Sequence, residues 1–187
     1  MTELENIRDQ VISCVKCDLC KTRTNSVPGK GNPNADIMFV GEAPGRTEDQ
    51  RGEPFVGAAG KKLTVMLEKN GLTRNSVYIT NVVKCRPPNN RIPTEKERLL
   101  CNDYLNGEIN LVNPRIICIM GNTACNSILG QGEITKNRGR IIKKDGKTFF
   151  LTFHPAATIY NQELESVMEQ DISTLVNELT KIKNENP

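Results

Sequence analysis

Four short apolar runs, separated by amphipathic stretches, constrain this chain more than any other feature of its sequence. The runs are DIMFV (36–40), VYIT (77–80), RIICIM (115–120) and KTFFLTF (147–153). Each is bounded by turn residues and rich in β-branched or aromatic side chains, as buried strands are. Between them the pattern predicts helices over 58–70, closed by Gly71, over 94–112, and over 122–129, closed by Gly130. Thr94 followed by Glu97 forms a capping box, with Pro93 just ahead of it. Helices at about 3–13 and 162–183 complete the set.

Strands alternating with helices build parallel βαβ units whose sheet is covered on both faces. The expected fold class is therefore α/β: a three-layer α/β/α sandwich with a central, mainly parallel four-stranded sheet. A chain of 187 residues, 37% hydrophobic and 25% charged, suits a single domain over 1–187 with a frayed tail at 184–187. No stretch approaches the ~18 apolar residues of a membrane span. The opening MTELENIRDQ has neither the basic start nor the apolar core of a signal peptide, so a cytoplasmic location is expected. Lys plus Arg (25) exceeds Asp plus Glu (22) only slightly, a balance that permits a nucleic-acid partner without demanding one.

In open α/β sheets, ligands bind beyond the carboxyl ends of the strands. Here GEAPG follows the first strand, Asn81 closes the second, and His154, the single histidine, follows the last. Three polar features thus fall on one rim. The loop after the first strand, GEAPGRTEDQRGEPFVG, is far longer than a reversal of direction requires, and it combines glycines, acids and one Phe.

Seven cysteines form the second constellation. In a reducing compartment an odd count argues against a disulfide framework and for metal ligation or burial. Cys14 and Cys17 form a CxxC that Cys20 extends, and Cys85 and Cys101 stand singly. Four thiolates suit tetrahedral zinc or an iron–sulfur cluster. Structural zinc usually draws two close pairs, so the single Cys85 and Cys101 favour a [4Fe–4S] cluster. Cys118 and Cys125, in apolar segments, read as small buried hydrophobes, while spacing alone leaves Cys20 open.

With these residues assembled, GEAPGRTEDQRGEPFVGAAG, YITNVVKCRPPNNR, HPAA and the cysteines at 14, 17, 85 and 101 resemble the family 4 uracil-DNA glycosylases, the iron–sulfur branch of their superfamily. The resemblance runs from about Cys14 to about Ala157. It implies a monomeric, monofunctional DNA repair enzyme that flips uracil out of DNA and hydrolyses its N-glycosidic bond. Its partners would be uracil-containing DNA and downstream repair proteins, and its cofactor a [4Fe–4S] cluster on Cys14, Cys17, Cys85 and Cys101.

The same resemblance implies roles for single residues. Phe55 would stack on the flipped base and Asn81 would read its edge. Ala43 and Asn90 would line the pocket, and Glu48 would lie near C5. His154 would contact O2. Glu42 would position or activate the water, with Asp49 as the nearby alternative. Lys84, Arg86, Arg91 and Arg138, with Lys136 and Arg140, would meet phosphates. Where relatives continue after HPxx with a Leu pair that wedges DNA, this chain has Thr158, Ile159 and Tyr160. Two other readings stay open: a glycosylase with a wider base range that includes hypoxanthine or xanthine, and a nucleic-acid-binding iron–sulfur module without the chemistry.

Overall fold

The computed structural model describes residues 2–130 and 133–185. Its centre is a twisted sheet in which four strands run parallel: β2 (Ile37–Gly41), β3 (Tyr78–Asn81), β4 (Ile116–Met120) and β6 (Lys147–Thr152). Two further strands, β1 (Lys30–Gly31) and β5 (Ile141–Lys144), close the edges in antiparallel pairing, which gives the order β1-β3-β2-β4-β6-β5. The sheet is thus six-stranded and mostly parallel, with the four expected strands at its heart.

Strand alternation assigns the two faces. On one side Ile37 and Phe39 pack with Leu63, Met66 and Leu67 of α3 (Ala58–Lys69) and with Met168, Ile172 and Leu175 of α8 (Glu163–Glu185). On the other, Met38 and Val40 pack with Leu105 and Ile109 of α4 (Glu95–Val112) and Ala124 of α5 (Asn122–Leu129). The α1 helix (Glu3–Ile12) lies against α4. Three short helices lie in the loops: α2 (Arg46–Arg51), α6 (Ile134–Asn137) and α7 (Ala157–Tyr160). The capping box forms as expected: Glu97 N donates to Thr94 Oγ1 at 3.2 Å, and Thr94 N to Glu97 Oε2 at 2.7 Å.

Of the tail expected at 184–187, Asn184 and Glu185 continue α8, and 186–187 lie outside the described residues. Among the described residues no helix is long and apolar enough to cross a membrane.

Candidate active site

Parallel pairing carries the carboxyl ends of β2, β3, β4 and β6 to one rim. Glu42 and Ala43 follow β2, Asn81 is the last residue of β3, and His154 stands two residues beyond β6. These four residues, with Glu48, Phe55, Asn90 and Arg91, line one cavity of about 240 Å³. The rim expected from the sequence is therefore a single concave site.

Asn81 is its deepest polar group, 1% exposed, and its Oδ1 has no hydrogen-bond partner among the described residues. An unpaired buried carbonyl costs about 1–3 kcal/mol, so the fold holds an acceptor that an incoming donor would satisfy. Gly41 makes room for this arrangement. A Cβ there would stand 2.4 Å from Phe55 Cζ and 2.7 Å from Asn81 Oδ1.

His154 is oriented by its own turn. The Ala156 amide donates to His154 Nδ1 at 3.2 Å, which leaves the ring proton on Nε2. Burial holds the imidazole down to about 4, against the opposing pull of the Glu48 carboxylate. At neutral pH the ring is therefore a neutral Nε2–H donor. Its centroid lies 5.6 Å from that of Phe55, with the planes tilted by 35°.

Phe55 adopts φ +52, a conformation that side-chain-bearing residues rarely take. Its loop is clamped from both sides. Glu48 Oε1 accepts from Val56 N at 2.9 Å and Gly57 N at 2.7 Å. Arg74 donates through Nη1 to Phe55 O at 2.9 Å and through Nη2 to Pro54 O at 2.7 Å. Glu48, expected beside the base, thus spends one carboxylate oxygen on the loop. The Arg74 contact has no signature in the sequence, because the two carbonyls it meets lie 19 and 20 residues away.

Several expectations are corrected. Asp49 stands outside the cavity, 4% exposed, and its Oδ1 accepts from Thr24 N at 2.8 Å and Asn25 N at 3.4 Å. It anchors the preceding segment and does not address a water at the site. Lys84 is no phosphate contact either. It is 1% exposed, and its Nζ donates to Glu108 Oε2 at 2.6 Å, Thr80 Oγ1 at 2.6 Å and Asn81 O at 2.8 Å. Arg138 is held by the buried Asp171 through Nε and Nη2, and Thr152 Oγ1 donates to the same carboxylate at 2.8 Å. Its guanidinium ties the end of α6 to α8. Arg91 pairs twice with Glu97, at 2.6 and 2.8 Å, and this holds that carboxyl at about 2. Arg86 donates from Nε to Asn90 Oδ1 at 2.7 Å beside the cavity mouth. Tyr160 lines that mouth at 91% exposure.

Cys14, Cys17, Cys85 and Cys101 line one small hollow between the loop after α1, the turn after β3, and α4. Cys20 is not part of its lining. Among the described residues no three Cys, His, Asp or Glu side chains converge closely enough to hold a single metal ion. The sulfurs are met by hydrogen-bond donors. Arg23 Nη1 donates to Cys85 Sγ at 3.0 Å, and Lys84 N to Cys101 Sγ at 3.3 Å. Arg23 also reaches Cys14 O at 2.9 Å and so ties two of the cysteine segments together. Burial raises the Cys17 and Cys85 thiols and pushes that of Cys101 up to about 12. Cys118 and Cys125 are buried, as their segments imply.

Comparison with known proteins agrees with this geometry. Residues 28–179 match the model of the uracil DNA glycosylase superfamily. A type-4 uracil-DNA glycosylase of Sulfurisphaera tokodaii is 49% identical, over 94% of this chain and 84% of that protein. Those of Archaeoglobus fulgidus and Thermotoga maritima are 46% and 44% identical, over 94% and 90% of this chain and 92% and 91% of theirs. With such identity over nearly its whole length, and with the rim built as described, the chain belongs to the uracil DNA glycosylase superfamily and, within it, to the type-4 uracil-DNA glycosylases.

Proposed function

We propose that this chain removes uracil from DNA by hydrolysing the N-glycosidic bond of a flipped-out deoxyuridine, leaving an abasic site for base excision repair. The observation that carries the reading is the unpaired, buried Oδ1 of Asn81 at the head of the cavity. Uracil offers an N3–H donor beside its O4 acceptor, and the Asn81 amide offers the complement: Oδ1 accepts from N3–H and Nδ2 donates to O4. Cytosine reverses both groups and would leave buried polar atoms unpaired.

The remaining groups follow the course of the reaction. Extruding the base costs a few kcal/mol, and stacking on Phe55 offsets part of that. As the C–N bond breaks, negative charge spreads onto O2 of the leaving uracil, and the neutral Nε2–H of His154 donates to it. That contact strengthens in the transition state. Glu42 brings a carboxylate with no side-chain partner among the described residues. It would orient the water that attacks C1′ and favour the positive charge developing on the sugar.

The four thiols around the hollow fit a [4Fe–4S] cluster better than one zinc ion. They surround a space and do not converge on a point, and N–H donors meet two of the sulfurs, contacts of the kind that tune such clusters. Cys14, Cys17, Cys85 and Cys101 would hold it. Bound there, it supplies a four-point tie between three distant segments and no hydrolytic chemistry. We further assign the chain a cytoplasmic location, a monomeric state and uracil-containing DNA as its partner.

The test is incubation with oligonucleotides carrying U opposite G, U opposite A, single-stranded U, T opposite G and hypoxanthine, followed by alkaline cleavage. Cleavage at U and not at T is expected. Intact U strands from folded protein would overturn the reading, and strong cleavage at hypoxanthine would favour the wider base range.

A further inference from the structure

The segment Pro54–Gly57 belongs to no helix or strand, yet four of its backbone polar groups are taken by side chains of flanking elements. Arg74, from the turn after α3, holds the carbonyls of Pro54 and Phe55. Glu48, from α2, holds the amides of Val56 and Gly57. Phe55, at φ +52, sits between the two grips. Behind it, a Cβ on Gly60 would fall 1.8 Å from Phe55 O, so the α3 backbone presses directly on the same carbonyl. Left-handed backbone at a phenylalanine persists only where its surroundings over-determine it. Here they do, and the result is a ring fixed beside His154 and Gly41.

We propose that Arg74 is a positioning residue for the base. Its two-pronged contact, opposed by Glu48, locks Phe55 in the left-handed pose before uracil arrives, so the stacking platform is preformed. The inference rests on the reading of Phe55 as that platform. Preorganisation of this kind lowers the ordering cost of binding. Arg74 touches no substrate. It acts through the backbone of Phe55, and a lysine in its place could reach one carbonyl but not span both.

The experiment is a double-mutant cycle on the whole, cluster-loaded protein with Arg74→Met, Phe55→Ala and both together. It reads KM and kcat on a uracil oligonucleotide and the inhibition constant of free uracil. Arg74→Met is expected to raise KM and the uracil inhibition constant about tenfold. In the Phe55→Ala background the same change is expected to add less than about twofold, since no ring remains to be placed. If Arg74→Met unfolds, Arg74→Lys carries the cycle, with a smaller penalty in the same pattern. Full additivity of the two losses would overturn the proposal, because Arg74 would then act elsewhere. If Phe55→Ala alone leaves free-uracil inhibition unchanged, the proposal also falls, and the fault lies with the platform reading itself.

Discussion

Replacing Asn81 with Asp tests the centre of the site, because it exchanges the Nδ2 donor for an acceptor with almost no change in shape. At 1% exposure Asn81 has no solvent to relieve a mismatch, and its Oδ1 is already unpaired. In the variant, the carboxylate would face uracil O4, so one hydrogen bond is lost and two acceptors confront each other. One mispaired buried group costs up to about 3 kcal/mol, and at 1.4 kcal/mol per tenfold this lowers excision by roughly 100-fold. The assay is single-turnover excision from an end-labelled uracil oligonucleotide, with DNA binding measured in parallel by gel shift. Binding is expected to change little, since phosphate contacts dominate affinity. If the folded variant excises uracil at near the wild-type rate, Asn81 does not read the base and the mechanism fails.

The half-buried His154 has a pH signature. Its pKa of about 4 in the folded state lies below the ordinary 6.5, so the unfolded chain binds a proton first as pH falls. The stabilising advantage of the neutral ring is complete above pH 6.5 and is lost between there and about 4, to the extent of about 3 kcal/mol. Urea titrations of His154→Gln across that window should therefore slope less than those of the parent chain. Iron analysis should find about four irons and broad absorbance near 400 nm. Cys20→Ser should keep that colour and Cys85→Ser should lose it, whereas bleaching by Cys20→Ser would displace the ligand assignment. Lys84→Ala leaves the buried Glu108 carboxylate without its cation, with only the hydrogen bonds from Gly29 N and Thr80 Oγ1, and is expected to cost about 3 kcal/mol in urea unfolding. Arg86→Ala should leave stability within about 0.5 kcal/mol and lower the salt slope of DNA binding by about one. The reverse pattern would restore Lys84 to the DNA surface.

The parallel core was legible because its strands are continuous apolar runs and its helices carry caps, signals that depend on near neighbours. The edge strands were not. β1 has two residues, both exposed, and so no hydrophobic pattern. β5 lies next to a basic stretch that reads as surface, although Asp145 and Gly146, both at positive φ, form the D-G turn typical of hairpins and could have revealed it. At the site, positions at strand ends were legible and partners were not. A lysine beside CRPP reads as a phosphate contact until Glu108, 24 residues on, closes over it. Asp49 is similar: the amides it holds, at Thr24 and Asn25, come from a segment the sequence does not mark as adjacent. Ion pairing and burial are properties of the packed chain, and local pattern is silent about them.

The unpaired carbonyl of Asn81 also makes the working site a defect in the resting molecule. It lies at the end of a central strand, where an apolar side chain of similar size would leave no acceptor unsatisfied. Asn81→Leu is therefore expected to melt at the same temperature as the parent chain or higher while losing excision. A campaign that selected this protein for thermal tolerance alone would tend to discard its function at that position first. Free uracil should raise the melting point of the parent chain and not of the variant, because only the parent holds an unmet demand that a bound base can fill.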